Sequence, residues 1–91
     1  MSILARFTPQ GLTSQQYDET IRKLEASGGF PPDGLEFHVC FGSEGNLRVS
    51  EIWESQEKMG VFAERLMPIL AETGIAAGEP EFLEVHNVVK G

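Results

Sequence analysis

The chain contains a single cysteine, Cys40, so no disulfide can close within it. No apolar run approaches the roughly 18–20 residues that span a bilayer, which argues against an integral membrane protein. Basic residues are scarce, with seven lysines and arginines against fourteen acidic residues and a net charge of −7. The seven are Arg6, Arg22, Lys23, Arg48, Lys58, Arg65 and Lys90, and only Arg22 and Lys23 are adjacent. A phosphate-binding surface needs clustered cations, so neither nucleic acid nor an anionic membrane is an expected partner. Two histidines and one cysteine lack zinc-ligand spacing, so no metal is expected. Gly42 and Gly45 flank a hairpin rather than a strand-to-helix turn, so there is no phosphate loop. Repeats, low-complexity tracts and linkers are absent. The opening Met1-Ser2-Ile3-Leu4-Ala5-Arg6-Phe7 reads as no secretory signal, and together with the lone cysteine this points to a reducing cytoplasm.

What is present reads as one globular domain over residues 1–91, with 41% hydrophobic and 23% charged residues. A chain this short hides only about 60–65% of its unfolded surface, and association with a second copy is one way to bury more. Ile3 to Thr8 is a β-prone run stopped by Pro9-Gln10-Gly11. Thr13-Ser14-Gln15-Gln16 is a capping box opening a helix whose apolar stripe is Tyr17, Ile21 and Leu24. Gly28-Gly29 ends it. Leu35 to Phe41 alternates as a strand, with Leu35, Phe37, Val39 and Phe41 on one face and Glu36, His38 and Cys40 on the other. Ser43-Glu44-Gly45-Asn46 is a hairpin turn, and Leu47 to Trp53 is the return strand. Ser55 caps a second helix carrying Met59, Phe62, Leu66, Ile69 and Leu70, with a kink or break expected near Met67 before Pro68. Gly74 stops it, and Phe82 to Val89 is the last expected strand.

The order β-α-β-β-α-β predicts an α+β, ferredoxin-like sandwich with two helices on one face of a four-stranded antiparallel sheet. The other sheet face carries Ile52 and members of the last strand and is too apolar to stay wet. Covering it with a second copy would make a homodimer, a dimeric α+β barrel.

The segment Glu51-Ile52-Trp53-Glu54-Ser55, continued by Glu57-Lys58-Met59-Gly60-Val61-Phe62-Ala63, resembles the antibiotic biosynthesis monooxygenase-like group of dimeric α+β barrels. Arg65-Leu66-Met67-Pro68-Ile69-Leu70 and Glu84-Val85-His86-Asn87-Val88-Val89 look like a small, mostly uncharacterised bacterial branch of it. The group includes cofactor-independent oxygenases acting on phenolic and quinol-type molecules, and haem-degrading enzymes. Many members carry a histidine nine residues after the tryptophan, where this chain has Phe62, so the resemblance does not supply a haem ligand. Phe62 would make a pocket more apolar.

His38, Glu51 and Trp53 are the leading candidates. If the hairpin turns on Glu44-Gly45, His38 lies opposite Glu51 and Glu36 opposite Trp53; a one-residue bulge would instead set Ser50 opposite His38. A carboxylate beside a histidine orients the imidazole, and such a pair at a pocket wall can accept a proton from a phenol. Trp53, Phe62, Tyr17 and His86 are the expected ligand-pocket residues. Trp53 is also a natural core aromatic, Tyr17 packs with its hydroxyl at the rim, and Cys40 reads as a small buried hydrophobe. Two readings follow. One is a protein that binds a small apolar or aromatic ligand without a cofactor. The other, implied by the resemblance, is a cofactor-independent monooxygenase, or an isomerase or cyclase, with His38 as base and Glu51 orienting it.

Overall fold

The computed structural model describes all 91 residues. Strand β1 (Ile3–Phe7) leads through helix α1 (Ser14–Ala26) to the hairpin β2 (Leu35–Ser43) and β3 (Asn46–Trp53), then helix α2 (Gln56–Thr73) and strand β4 (Glu81–Glu84). The sheet order is β2-β3-β1-β4 and every pair is antiparallel. This is the ferredoxin-like α+β arrangement, with β1 central and both helices packed on one face. No helix is long and apolar enough to cross a membrane.

The helix ends lie where local chemistry places them. The Gln16 backbone N–H donates to the Thr13 hydroxyl, and the Thr13 backbone N–H donates to the Gln16 side-chain carbonyl, completing the capping box. The Ser55 hydroxyl accepts from the Lys58 N–H, with Glu57 in the positively polarised first turn. Gly74 closes α2 in the left-handed region at φ 74°, where its missing Cβ removes the steric penalty. Of the expected kink or break near Met67, the break does not occur, because α2 runs on through Pro68. Pro68 and Glu64, whose carbonyl loses its helical donor, are both exposed, so water can serve that carbonyl.

The hairpin turns on Glu44-Gly45 as counted, pairing Ser43 with Asn46 and His38 with Glu51. The irregularity falls further along, between Leu35 and Phe37, so that Trp53 lies opposite Leu35 rather than Glu36. The extra residue shifts the alternation. Leu35 therefore packs against the helix-side core, whereas Phe37, Val39 and Phe41 are exposed. The four residues do not share one face. At the turn end, Gly42 has φ +113°, and a Cβ there would lie 2.9 Å from the Asn46 carbonyl oxygen. Gly42→Ala is expected to cost about 1–3 kcal/mol in urea denaturation through this backbone strain, and an unchanged midpoint would contradict it.

The last strand is shorter than its apolar residues suggest. It ends at Glu84, opposite Ile3, followed by one more bond from the Val85 N–H to the Ser2 carbonyl. There β1 runs out, so residues 86–91 have no strand to pair with and are exposed. His86, expected on that strand as a pocket residue, and Asn87 thus lie outside the sheet. The core lies between sheet and helices and gathers Ala5, Leu24, Trp53, Met59 and Phe62. On the opposite face, one row crosses all four strands through the register pairs Phe37–Ile52, Ile52–Leu4 and Leu4–Leu83.

Candidate functional site

A cavity of about 80 Å³ opens between the sheet and the two helices. Sixteen residues line it and twelve are hydrophobic. Phe7 on β1, Val49 on β3, Ile21 on α1, and Phe62, Leu66 and Leu70 on α2 form most of the walls. Loops complete it with Pro9, Leu12, Phe30, Ile75 and Ala77. The polar residues are Tyr17, Thr20, His38 and Glu51, and no lysine or arginine reaches the lining. Thr20 is already engaged, donating to the Gln16 carbonyl at 2.9 Å and sharing a hydrogen with the Thr73 hydroxyl at 3.1 Å.

The other three form a chain that begins in the core. Trp53 is fully buried, and its indole N–H donates to Glu51 Oε1 at 3.0 Å. Glu51 is buried, with its second oxygen 2.6 Å from His38 Nδ1. A carboxylate offers only lone pairs, so Nδ1 carries the shared hydrogen, and in the neutral imidazole Nε2 presents its lone pair on the far side of the ring. There the Tyr17 hydroxyl approaches to 2.6 Å and donates. The Tyr17 ring stacks on the imidazole with centroids 5.9 Å apart, and Phe30 meets it edge-on at 6.1 Å. No buried side-chain polar atom lacks a partner. A buried carboxylate is costly unless paired, and here both its oxygens accept hydrogen bonds.

Burial raises the Tyr17 pKa first, and the nearby Cys40, Glu51 and Asp18 add to it, so the phenol is pushed up to about 12. The Cys40 thiol is also pushed up, by burial and then by Asp18, which keeps it protonated and a poor nucleophile. It is half-buried rather than enclosed. No cluster of three His, Cys, Asp or Glu side chains is placed to hold a metal ion.

The expected site residues divide in three. His38, Glu51, Tyr17 and Phe62 come together at the cavity. Trp53 stands behind it, outside the lining, with its ring 5.6 Å from that of Phe62 and its N–H steadying Glu51. His86 lies in the exposed terminal segment, outside the lining. The contact of Tyr17 with His38 was not anticipated, and nor were the loop walls Phe30 and Ile75. Tyr17 heads the apolar stripe of α1, which places it over the sheet, but only the docked helix shows what it meets.

No protein-family model matches the chain, and no curated protein matches it in sequence. Solved structures do match. A protein assigned as an antibiotic biosynthesis monooxygenase from Chloroflexus aurantiacus superposes with a TM-score of 0.67 at 14% identity, over 99% of this chain and 98% of that one. Another so assigned, from Deinococcus radiodurans, gives 0.61 at 11% identity, over 99% and 97%. SnoaB, a cofactor-independent oxygenase from Streptomyces nogalater, gives 0.60 at 12% identity, over 99% and 96%. From end to end, the chain has the fold of the antibiotic biosynthesis monooxygenase-like proteins.

Proposed function

We propose that the chain binds a small, neutral aromatic or apolar molecule in the cavity between sheet and helices, as a homodimer and without a cofactor. The observation that carries this is an apolar cavity with one polar feature, the end of a buried hydrogen-bond chain. Such pockets take apolar bodies and orient them by a few placed polar groups. A dry cavity of roughly 150 Å³ encloses a benzene. At about 80 Å³, this one would admit a single ring with part of it still in the mouth. The missing cation disfavours carboxylates and phosphates. Titration with p-cresol is expected to move the amide resonances of Phe7, Ile21, Phe62 and Leu66, and no movement at saturating probe would refute the reading.

The second reading is a cofactor-independent oxygenase acting on a phenol or quinol. The Glu51–His38 pair favours it, as does the structural likeness to SnoaB. His38 would hold the proton taken from the substrate, and the resulting phenolate would give an electron to dioxygen in a water-poor pocket. Hydroquinones are the first substrates to try with an oxygen electrode. On this reading His38→Ala lowers turnover by about 10²–10⁴ while the circular dichroism spectrum is retained. A rate unaffected by that change would exclude His38 as the base.

A further inference from the structure

We propose that Tyr17, not His38, meets the polar atom of the bound molecule, and that its hydroxyl hands the ligand's proton on to His38. The inference rests on the reading that the cavity takes an apolar ligand, and it adds the ligand's hydrogen-bonding character.

Both imidazole nitrogens are occupied. Nδ1 is held by Glu51 at 2.6 Å and Nε2 by the Tyr17 hydroxyl at 2.6 Å, while Phe30 covers the ring edge-on. For His38 to take a proton directly, Tyr17 would first have to leave. A relay needs no such movement. Tyr17 donates its own hydrogen to Nε2, so its oxygen faces an incoming ligand as an acceptor. The ligand must therefore bring a donor, an O–H or an acidic N–H, on an apolar body.

The transfer balances in two concerted hops. The ligand O–H bond breaks and its hydrogen forms a new O–H bond on Tyr17. The original Tyr17 O–H bond breaks and its hydrogen forms the Nε2–H bond of His38. The ligand is left as an anion accepting from Tyr17, and the imidazolium lies between that hydroxyl and the Glu51 carboxylate. Tyr17 begins and ends as a neutral phenol. This agrees with a surrounding that disfavours tyrosinate, made of burial, Glu51 on β3, Cys40 on β2 and Asp18 on α1. From α2 the lining residues are apolar, and Arg65 lies against Phe62 outside the lining. Tyr17 can therefore pass a proton on but not store a charge.

The test compares toluene, p-cresol and 4-methylanisole on the full-length wild-type chain and on Tyr17→Phe. The wild type is expected to bind p-cresol about tenfold more tightly than its methyl ether, and Tyr17→Phe is expected to bind the two within a factor of two. Equal wild-type affinities would overturn the Tyr17 contact while leaving the cavity reading standing. If none of the three binds, toluene included, the cavity reading fails and this proposal fails with it. The relay has its own readout in bound 4-nitrophenol, whose phenolate is coloured. Its ionisation in the wild-type site is expected about one pH unit below that in Tyr17→Phe. In His38→Gln, which can still accept from Tyr17 but cannot hold a proton, the preference for p-cresol is expected to survive and the ionisation shift to vanish. Coincident ionisation curves for wild type and Tyr17→Phe would overturn the relay.

Discussion

Replacing Trp53 by alanine is expected to remove about 3–5 kcal/mol of folding stability. Seven apolar side chains are buried in this chain, namely Ala5, Leu12, Leu24, Pro32, Trp53, Met59 and Phe62, and Trp53 is the largest. Deleting its ring leaves Phe62, 5.6 Å away, facing a void. A domain of this size has only about 5–15 kcal/mol in total, so the loss approaches the whole. Part of the effect is polar, because the indole N–H is one of the hydrogen bonds that satisfy Glu51. Trp53→Phe separates the two contributions. It keeps much of the volume, removes the donor, and is expected to cost about 1–3 kcal/mol more than the lost volume alone would. Urea denaturation of both variants measures this, and a loss below about 1 kcal/mol for Trp53→Ala would contradict the packing account.

The second large effect concerns mass. The wild-type chain is expected to be a dimer of about 20 kDa, twice its 10.0 kDa, in native mass spectrometry. The row Phe37, Ile52, Leu4 and Leu83 offers water an apolar band, with Phe37 53% and Leu83 45% exposed at its ends. Phe41 widens the band on the β2 side. Because both end residues are exposed in the single chain, Phe37→Glu with Leu83→Glu should disturb its folding little. In a sheet-to-sheet interface each carboxylate would be dry and unpaired, at about 3–5 kcal/mol apiece, and two-fold symmetry repeats both. The double substitution should therefore weaken the dimer by at least about a thousandfold, leaving a species near 10 kDa. A monomeric wild type, or a double variant of unchanged mass, would refute the paired-sheet arrangement.

The sequence was most legible where a local count decides the outcome. The Glu44-Gly45 turn determines the pairing of β2 with β3, and the approach of His38 to Glu51 follows from it. Thr13, Ser55 and Gly74 mark helix ends through hydrogen bonds that reach only a few residues. The misreadings come from partners distant in the chain. Val85, Val88 and Val89 look like strand, but the length of β4 is set by β1, whose pairing ends at Ile3 opposite Glu84. Pro68 carries a propensity penalty that is tolerable where Pro68 and Glu64 are both exposed to solvent. The bulge near Glu36 moved Trp53 opposite Leu35, and nothing in that alternating segment announces it. Phe30 and Ile75 line the cavity from loops, where apolar residues follow no period. The Tyr17–His38 contact depends on how α1 docks across the sheet, which no spacing within α1 encodes.

The capping box at the start of α1 gives the site its address. The Tyr17 N–H makes the first backbone bond of the helix, to the Thr13 carbonyl, so its hydroxyl is carried by the turn most prone to fray. The Gln16 side chain also reaches across to the Thr73 and Gly74 carbonyls, fastening that turn to the far end of α2. The bonds that hold the helix end closed are therefore those that keep the phenol in register with His38. Loosening Thr13 or Gln16 would uncouple the proton path at its outer end while the sheet beneath, with Glu51 and Trp53, stayed intact.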